Sequence, residues 1–83
     1  MLERELKTRK ENLLTEIYEN YLTDGRVSYL SYPLGLDGHD MEKMLKWLRD
    51  DPIIESLVRN GNSNIAFNVN EEALKKKYEN SGL

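Results

Sequence analysis

The amino-acid sequence predicts a small α+β domain, and three observations support this class. The stretch from Leu2 to Leu22 contains no Pro or Gly and carries apolar residues at helical spacing. An Asn60-Gly61 step separates two runs rich in strand-forming residues, which is the strongest short-range signal for a β-hairpin. Asn70 then precedes an acidic and finally a lysine-rich segment, as expected for a capped last helix. A chain of 83 residues supports one core, so residues 1–83 are predicted to form a single domain.

The first element is predicted to be a long helix that ends at Asp24-Gly25, because Gly readily adopts the left-handed conformation that follows a helix. Its first half is nearly all charged and offers little apolar surface to a core. Residues 1–12 are therefore expected to project as a helical end. This end is either solvated or, through Leu2 and Leu6, the contact between the two copies of a homodimer.

A short strand and a second helix are predicted next. Residues 26–32 are rich in strand formers, and Pro33 with the following glycines predicts a loop over 33–39. Either Asp37 or Asp40 can cap a helix that extends to about Asp51. The apolar residues of this helix recur at i, i+3, i+4 and i+7: Met41, Met44, Leu45 and Leu48.

Pro52 leaves the state of the next residues open. It disfavours helical geometry in the residue before it, and it can also begin a new turn. Residues 55–59 and 64–69 then predict the hairpin strands around Asn60-Gly61. In the second strand the apolar residues Ile65, Phe67 and Val69 alternate with Asn64, Ala66 and Asn68, so the two sets are expected on opposite faces.

The order of these elements resembles that of the winged helix-turn-helix superfamily. The residues that carry the resemblance are Leu45-Lys46-Trp47-Leu48-Arg49-Asp50-Asp51, Ile53-Ile54, the hairpin around Asn60-Gly61, and Phe67-Asn68-Val69 before the last helix. The resemblance covers about residues 13 to 80, and it implies a winged-helix-like fold with DNA as the partner. The helix over 40–50 would be the recognition helix and 59–64 the tip of the wing. The corresponding nucleic-acid contacts are Lys43, Lys46, Arg49, Arg59, Asn60 and Asn62.

Charge weighs against this partner. Twelve Lys and Arg face fifteen Asp and Glu, which gives a net charge of −3, and Glu42 and Asp50 share the helix face with the lysines. The alternative function is protein–protein interaction, because amphipathic rings are enriched where proteins bind one another. Trp47, Tyr29 and Tyr32 are the candidate aromatic patch for such a contact. A merely solvated helix face is the third interpretation of the basic residues.

The sequence gives no indication of catalysis. His39 is the single histidine, and it lies between Asp37 and Asp40 without the further ligands of a zinc site or the spacing of a calcium loop. No nucleophile has an evident base, and the glycines do not form a phosphate-binding loop. The chain is therefore expected to be a non-enzymatic binding module without a cofactor or a small-molecule substrate.

Localisation is predicted from absent features. The chain has no cysteine, no signal-peptide pattern at its start and no apolar run of membrane-spanning length. These features predict a cytoplasmic protein that does not associate with membranes.

Overall fold

The computed structural model describes residues 1–79 and has three helices and a three-stranded antiparallel sheet, which confirms the predicted α+β class. The final residues of the predicted domain, 80–83, lie outside the described part. Along the sheet the strand order is β1-β3-β2, so the last strand is central. The elements are α1 (Glu3–Asp24), β1 (Ser28–Pro33), α2 (Gly38–Asp50), β2 (Ile54–Asn60), β3 (Asn64–Val69) and α3 (Glu71–Glu79).

Helix α1 ends where the sequence predicts. Gly25 has a φ of 71°, and its N–H donates to the carbonyl oxygen of Tyr21 at 2.8 Å. The expectation that residues 1–12 project is wrong, because Leu6 is only 1% exposed and belongs to the core. Lys10 also lies 2.9 Å from the Asp51 carboxylate, so the first half of α1 packs on the domain.

Strand β1 extends one residue further than predicted. Pro33 is its last residue and pairs with Asn64, although the sequence predicted a loop from residue 33. Proline is tolerated here because β1 is an edge strand and the missing N–H would point away from the sheet. The pairing with β3 is interrupted by a β-bulge between Tyr29 and Tyr32.

The segment around Pro52 is a tight turn. The Ile53 N–H donates to the Asp51 Oδ1 at 2.9 Å, and strand β2 begins at the next residue, Ile54. Helix α2 begins after Asp37, whose side chain makes no capping hydrogen bond. Helix α2 thus ends at Asp50, just before the predicted end near Asp51, and the two residues left open by the sequence separate, with Ile53 in the turn and Ile54 in β2.

The predicted hairpin and last helix are both confirmed. Strand β2 pairs with β3 from Ile54 opposite Val69 to Asn60 opposite Asn64, and Gly61 in the connecting turn has a φ of 81°. The Asn70 Oδ1 accepts a hydrogen bond of 3.0 Å from the Ala73 N–H, which is the side-chain cap expected for α3.

One hydrophobic core holds the helices against one face of the sheet. It contains residues from every helix together with Ile65, Phe67 and Val69, the alternating residues of β3. The helices supply Leu6, Leu13, Leu14, Ile17, Met41, Met44, Leu45, Leu48 and Leu74. The opposite face of the sheet contributes nothing to this core.

Candidate binding surfaces

The predicted nucleic-acid contacts on α2 lie on a surface of mixed charge. The Lys43 ammonium lies 4.0 Å from the Glu3 carboxylate and 5.7 Å from the centre of the Trp47 ring. Lys46 and Arg49 are exposed, but Glu42 and Asp50 are exposed on the same helix. A phosphate near this surface would meet carboxylates as well as cations.

The candidates on the hairpin serve largely to hold the hairpin together. The Arg59 guanidinium donates to the carbonyl oxygen of Asn62 at 2.7 Å, across the turn. The Asn60 amide donates to the carbonyl oxygen of Leu30 on β1 at 2.8 Å. Binding of a nucleic acid by Arg59 or Asn60 would therefore have to break an existing hydrogen bond.

A helix-turn-helix pair needs a helix immediately before the recognition helix. Residues 34–37, which join β1 to α2, form no helix. Helix α2 instead packs against α1 and β2. The arrangement therefore has the order strand, helix, hairpin, but lacks the paired helices in this segment.

The predicted aromatic patch does not form. Tyr29 is 7% exposed and its ring stacks on that of Phe67 at 4.6 Å between centroids, so it is a core residue. Tyr32 lies edge-on to both rings, and its burial together with the Glu16 carboxylate raises its pKa to about 12. Within residues 1–79, Trp47 stacks with neither tyrosine. Tyrosine favours strands because its ring packs well on a half-buried sheet surface. The rings of Tyr29 and Tyr32 therefore pack against Phe67 and do not form an exposed patch with Trp47.

The two leucines predicted for a dimer contact also differ from each other. Leu6 is buried, so it cannot contact a second copy, whereas Leu2 is 58% exposed. The spacing of four residues placed them on one helix side, but α1 turns that side partly onto the domain. Leu2 alone cannot form the zipper that the sequence suggested.

The most unusual surface is the uncovered side of the sheet, which we call the open sheet face. Residues that pair directly across strands share a face, so Ala66 lies beside Val58, and Asn68 lies between Ser28 and Ser56. The side chain of Leu30 is 81% exposed and that of Val58 is 60% exposed. The full set is Ser28, Leu30, Ser31, Pro33, Ser56, Val58, Asn60, Asn64, Ala66 and Asn68.

The open sheet face is uncharged, and its polar groups bind one another. The Asn68 amide donates to the Ser56 hydroxyl at 3.0 Å, and the Asn64 amide donates to the Ser31 hydroxyl at 2.9 Å. A shallow depression of about 250 Å³ lies on this face, with Leu30 and Val58 among its lining residues. The face thus combines two hydrogen-bonded pairs of polar side chains with the exposed apolar side chains of Leu30 and Val58.

Only part of this surface is predictable from the sequence. The alternation in β3 correctly placed Asn64, Ala66 and Asn68 away from the core. It did not bring Leu30 and Val58 together, because that requires the register of three strands that are distant in sequence. Alternation within 26–32 would have been the available signal in β1, but the bulge between Tyr29 and Tyr32 interrupts it. In β2 the apolar residues Leu57 and Val58 are adjacent, so the sequence shows no alternation there.

Comparison with known proteins identifies no relative. No protein-family model, no curated protein and no solved structure matches the chain. In the described residues, no three acidic, histidine or cysteine side chains are grouped as they would be around a metal ion, and His39 is simply exposed in the first turn of α2. None of the described helices combines the length and apolar character needed to cross a membrane.

Proposed function

We propose that this chain is a non-catalytic protein-binding module whose open sheet face receives an amphipathic helix of a partner protein. The observation that carries the proposal is the pair of exposed side chains Leu30 and Val58 on an uncharged face of a chain that is 33% charged. Exposed apolar groups that cluster on one surface typically mark an interaction site.

The chemistry of the face specifies an apolar partner surface. A charged side chain placed against Leu30, Ala66 and Val58 would lose water without gaining a counter-charge. The apolar stripe of an amphipathic helix avoids this cost and leaves its charged side in solvent. Such a helix also satisfies its own backbone groups, so it needs no free strand edge.

The dimensions of the face match those of a short helix. Three strands of about six residues cover about 14 Å by 20 Å, or on the order of 300 Å². A helix is about 10 Å wide, so three turns fit this area. A helix docked on this area would bury on the order of 600 Å² in total over both partners, which is the size of a weak, transient interface.

Existing hydrogen bonds and the net charge favour a polypeptide over DNA as the partner. Among the predicted nucleic-acid contacts, Arg59 and Asn60 already donate to backbone carbonyl groups, and Lys43 lies beside Glu3. The net charge of −3 would oppose the approach of a polyanion. The open sheet face carries no charge and is free of this repulsion.

The proposal is tested with a displayed library of peptides of about 20 residues, each with a fixed apolar stripe at helical spacing and varied remaining positions. Peptides selected on the parent chain are then measured by calorimetry against L30D and V58D. We expect at least about tenfold weaker binding to either variant, because each places a charge in the apolar contact. The matched control is L22D, which adds the same charge at a 62% exposed leucine on α1 and should bind as the parent does.

Two outcomes would overturn the proposal. One is equal binding of every selected peptide to the parent and to L30D. The other is tight binding of a fluorescent DNA duplex that weakens steeply from about 50 to 200 mM salt, is lost on reversing the charges of Lys46 and Arg49, and persists in L30D. That second result would assign the chain to DNA.

A further inference from the structure

The two edges of the sheet differ in how well they are protected from a further strand. Strand β1 is interrupted by its bulge and ends at Pro33, and both features discourage pairing with another chain. Strand β2 contains no proline and pairs regularly from Ser56 to Asn60, with its bulge confined to the start near Glu55. The edge formed by β2 is thus the one suited to strand addition.

Backbone hydrogen bonds show which groups of β2 face that edge. The Val69 N–H donates to the carbonyl oxygen of Val27 at 2.8 Å, toward β1, and the Asn70 N–H donates to that of Ile53 at 2.7 Å, toward the β2 side. Successive residues of a strand direct their backbone groups to opposite sides. Ala66 therefore bonds toward Val58, its partner on β2.

The intervening residues of β2, Leu57 and Arg59, consequently direct their N–H and C=O groups away from the sheet. In residues 1–79 neither makes a backbone hydrogen bond outside the sheet. Arg59 is exposed and Leu57 is partly so. An extended segment laid along β2 would find these groups in the alternating arrangement that antiparallel pairing requires.

We propose that two copies of this chain associate by antiparallel pairing of their β2 strands around a twofold axis at Leu57, which joins the two sheets into one of six strands. In this register Leu57 lies opposite Leu57 of the second copy. Arg59 lies opposite Glu55 of the second copy, which stands at the bulge where the regular part of β2 begins, and the symmetry repeats this pair on the other side of the axis.

Charge complementarity selects both the occupant and the register. Opposite charges directly across an antiparallel pair stabilise it, and like charges destabilise it. A register centred on Arg59 would place two guanidinium groups opposite each other. The register centred on Leu57 instead places two acid–base pairs around an apolar centre, and it brings Val58 opposite Ser56 on the open side.

This dimer does not depend on the proposed helix-binding function. It would, however, place the open sheet faces of two copies side by side on one continuous sheet. The combined face would be about twice as large and closer to the area of standard protein interfaces. Leu30 lies on β1, which forms the opposite edge of each three-stranded sheet, so it takes no part in the β2 contact.

The proposal is tested by sedimentation equilibrium of the full chain from micromolar to millimolar concentration, near 50 mM salt. The parent should show a monomer–dimer equilibrium. Either R59E or E55R should weaken dimerisation on the order of tenfold, because each converts two attractive pairs into two repulsive ones. The double variant E55R/R59E restores opposite charges and should return the dimerisation constant to near that of the parent.

Control variants separate this contact from general charge effects and from the helix-binding site. K46E changes an exposed charge on α2, and L30D changes the open sheet face. Both should dimerise as the parent does. Circular dichroism of R59E would detect loss of the hairpin, since Arg59 also bonds to Asn62, while E55R leaves that bond in place.

The dimer proposal is overturned by a monomer at every concentration. It is also overturned by a dimer that E55R leaves unchanged, or by a double variant that associates no better than the single ones. None of these results bears on peptide binding at the open sheet face, so the two proposals can fail separately.

Discussion

The two faces of the sheet show how differently one strand can be used. In β3, Ile65, Phe67 and Val69 are 0%, 3% and 4% exposed, whereas the residues between them lie on the open sheet face. The covered face meets helices and is wholly apolar at β3. The open face carries Asn64 and Asn68, which suit contact with water, and the small apolar Ala66 between them.

The polar residues of the open face are also hydrogen-bonded to one another. Asn64 and Asn68 bind serines of the neighbouring strands, so the polar rows on this face are held in place. Leu30 and Val58 do not share that arrangement and remain largely exposed. On the covered face such side chains are buried, and here they are available to a partner.

Substitutions on the two faces should have very different effects on stability. F67A removes a ring that is 3% exposed and stacked on Tyr29, and it should lower the free energy of unfolding by about 3–5 kcal/mol. V58A, on the open face, should cost less than about 1 kcal/mol. Urea denaturation followed by circular dichroism measures both values.

If F67A is unfolded in buffer, I65V provides the same comparison at a smaller scale, with an expected loss of about 0.5–1.5 kcal/mol. Equal losses from the covered-face and open-face variants would show that the open face is buried in solution and would remove the contrast.

Two leucine substitutions test whether the start of α1 belongs to the hydrophobic core. L6A should lower the free energy of unfolding by about 2–5 kcal/mol, because Leu6 is 1% exposed in the core. The matched control is L2A, at a leucine that is 58% exposed, which should change it by no more than about 0.5 kcal/mol. A small effect of L6A in the same denaturation assay would instead favour the projecting helical end that the sequence suggested.

The smallest expected effect comes from the ion pair between Lys10 and Asp51, which links α1 to the turn after α2. Burial raises the pKa of Asp51, but the Lys10 ammonium at 2.9 Å and the Ile53 N–H lower it, and the net pKa lies below its ordinary value. This contribution to stability is present above the unfolded-state pKa of about 4 and is lost as the pH falls through the lower pKa of the folded state.

D51N should therefore cost up to about 1 kcal/mol near neutral pH and make the loss of stability in acid less steep. Asparagine can still accept the Ile53 hydrogen bond through Oδ1, so the variant removes the Lys10 pair and keeps the turn contact. D24N, at an exposed aspartate beside Arg26, is the control and should keep the parent's acid profile. Parallel acid profiles for D51N and the parent in urea denaturation at several pH values would refute the role of the Lys10 pair.

Local signals in the sequence determined most of the elements. Gly25, Asn60-Gly61 and Asn70 act through backbone conformation or capping within a few residues, so the end of α1, the hairpin and the start of α3 were predictable. The alternation of β3 also assigned its two faces, since the side-chain period of a strand is a local property.

The roles of the surfaces depend on packing between distant segments. The tertiary structure buried Leu6 and Tyr29, placed Leu30 and Val58 around one depression of the open sheet face and left β2 as the unprotected edge. Burial and cross-strand neighbours depend on register between segments that are far apart in sequence, and a bulge shifts that register by one residue. Local propensity carries no information about such pairings, so the sequence determined the elements while packing determined the surfaces.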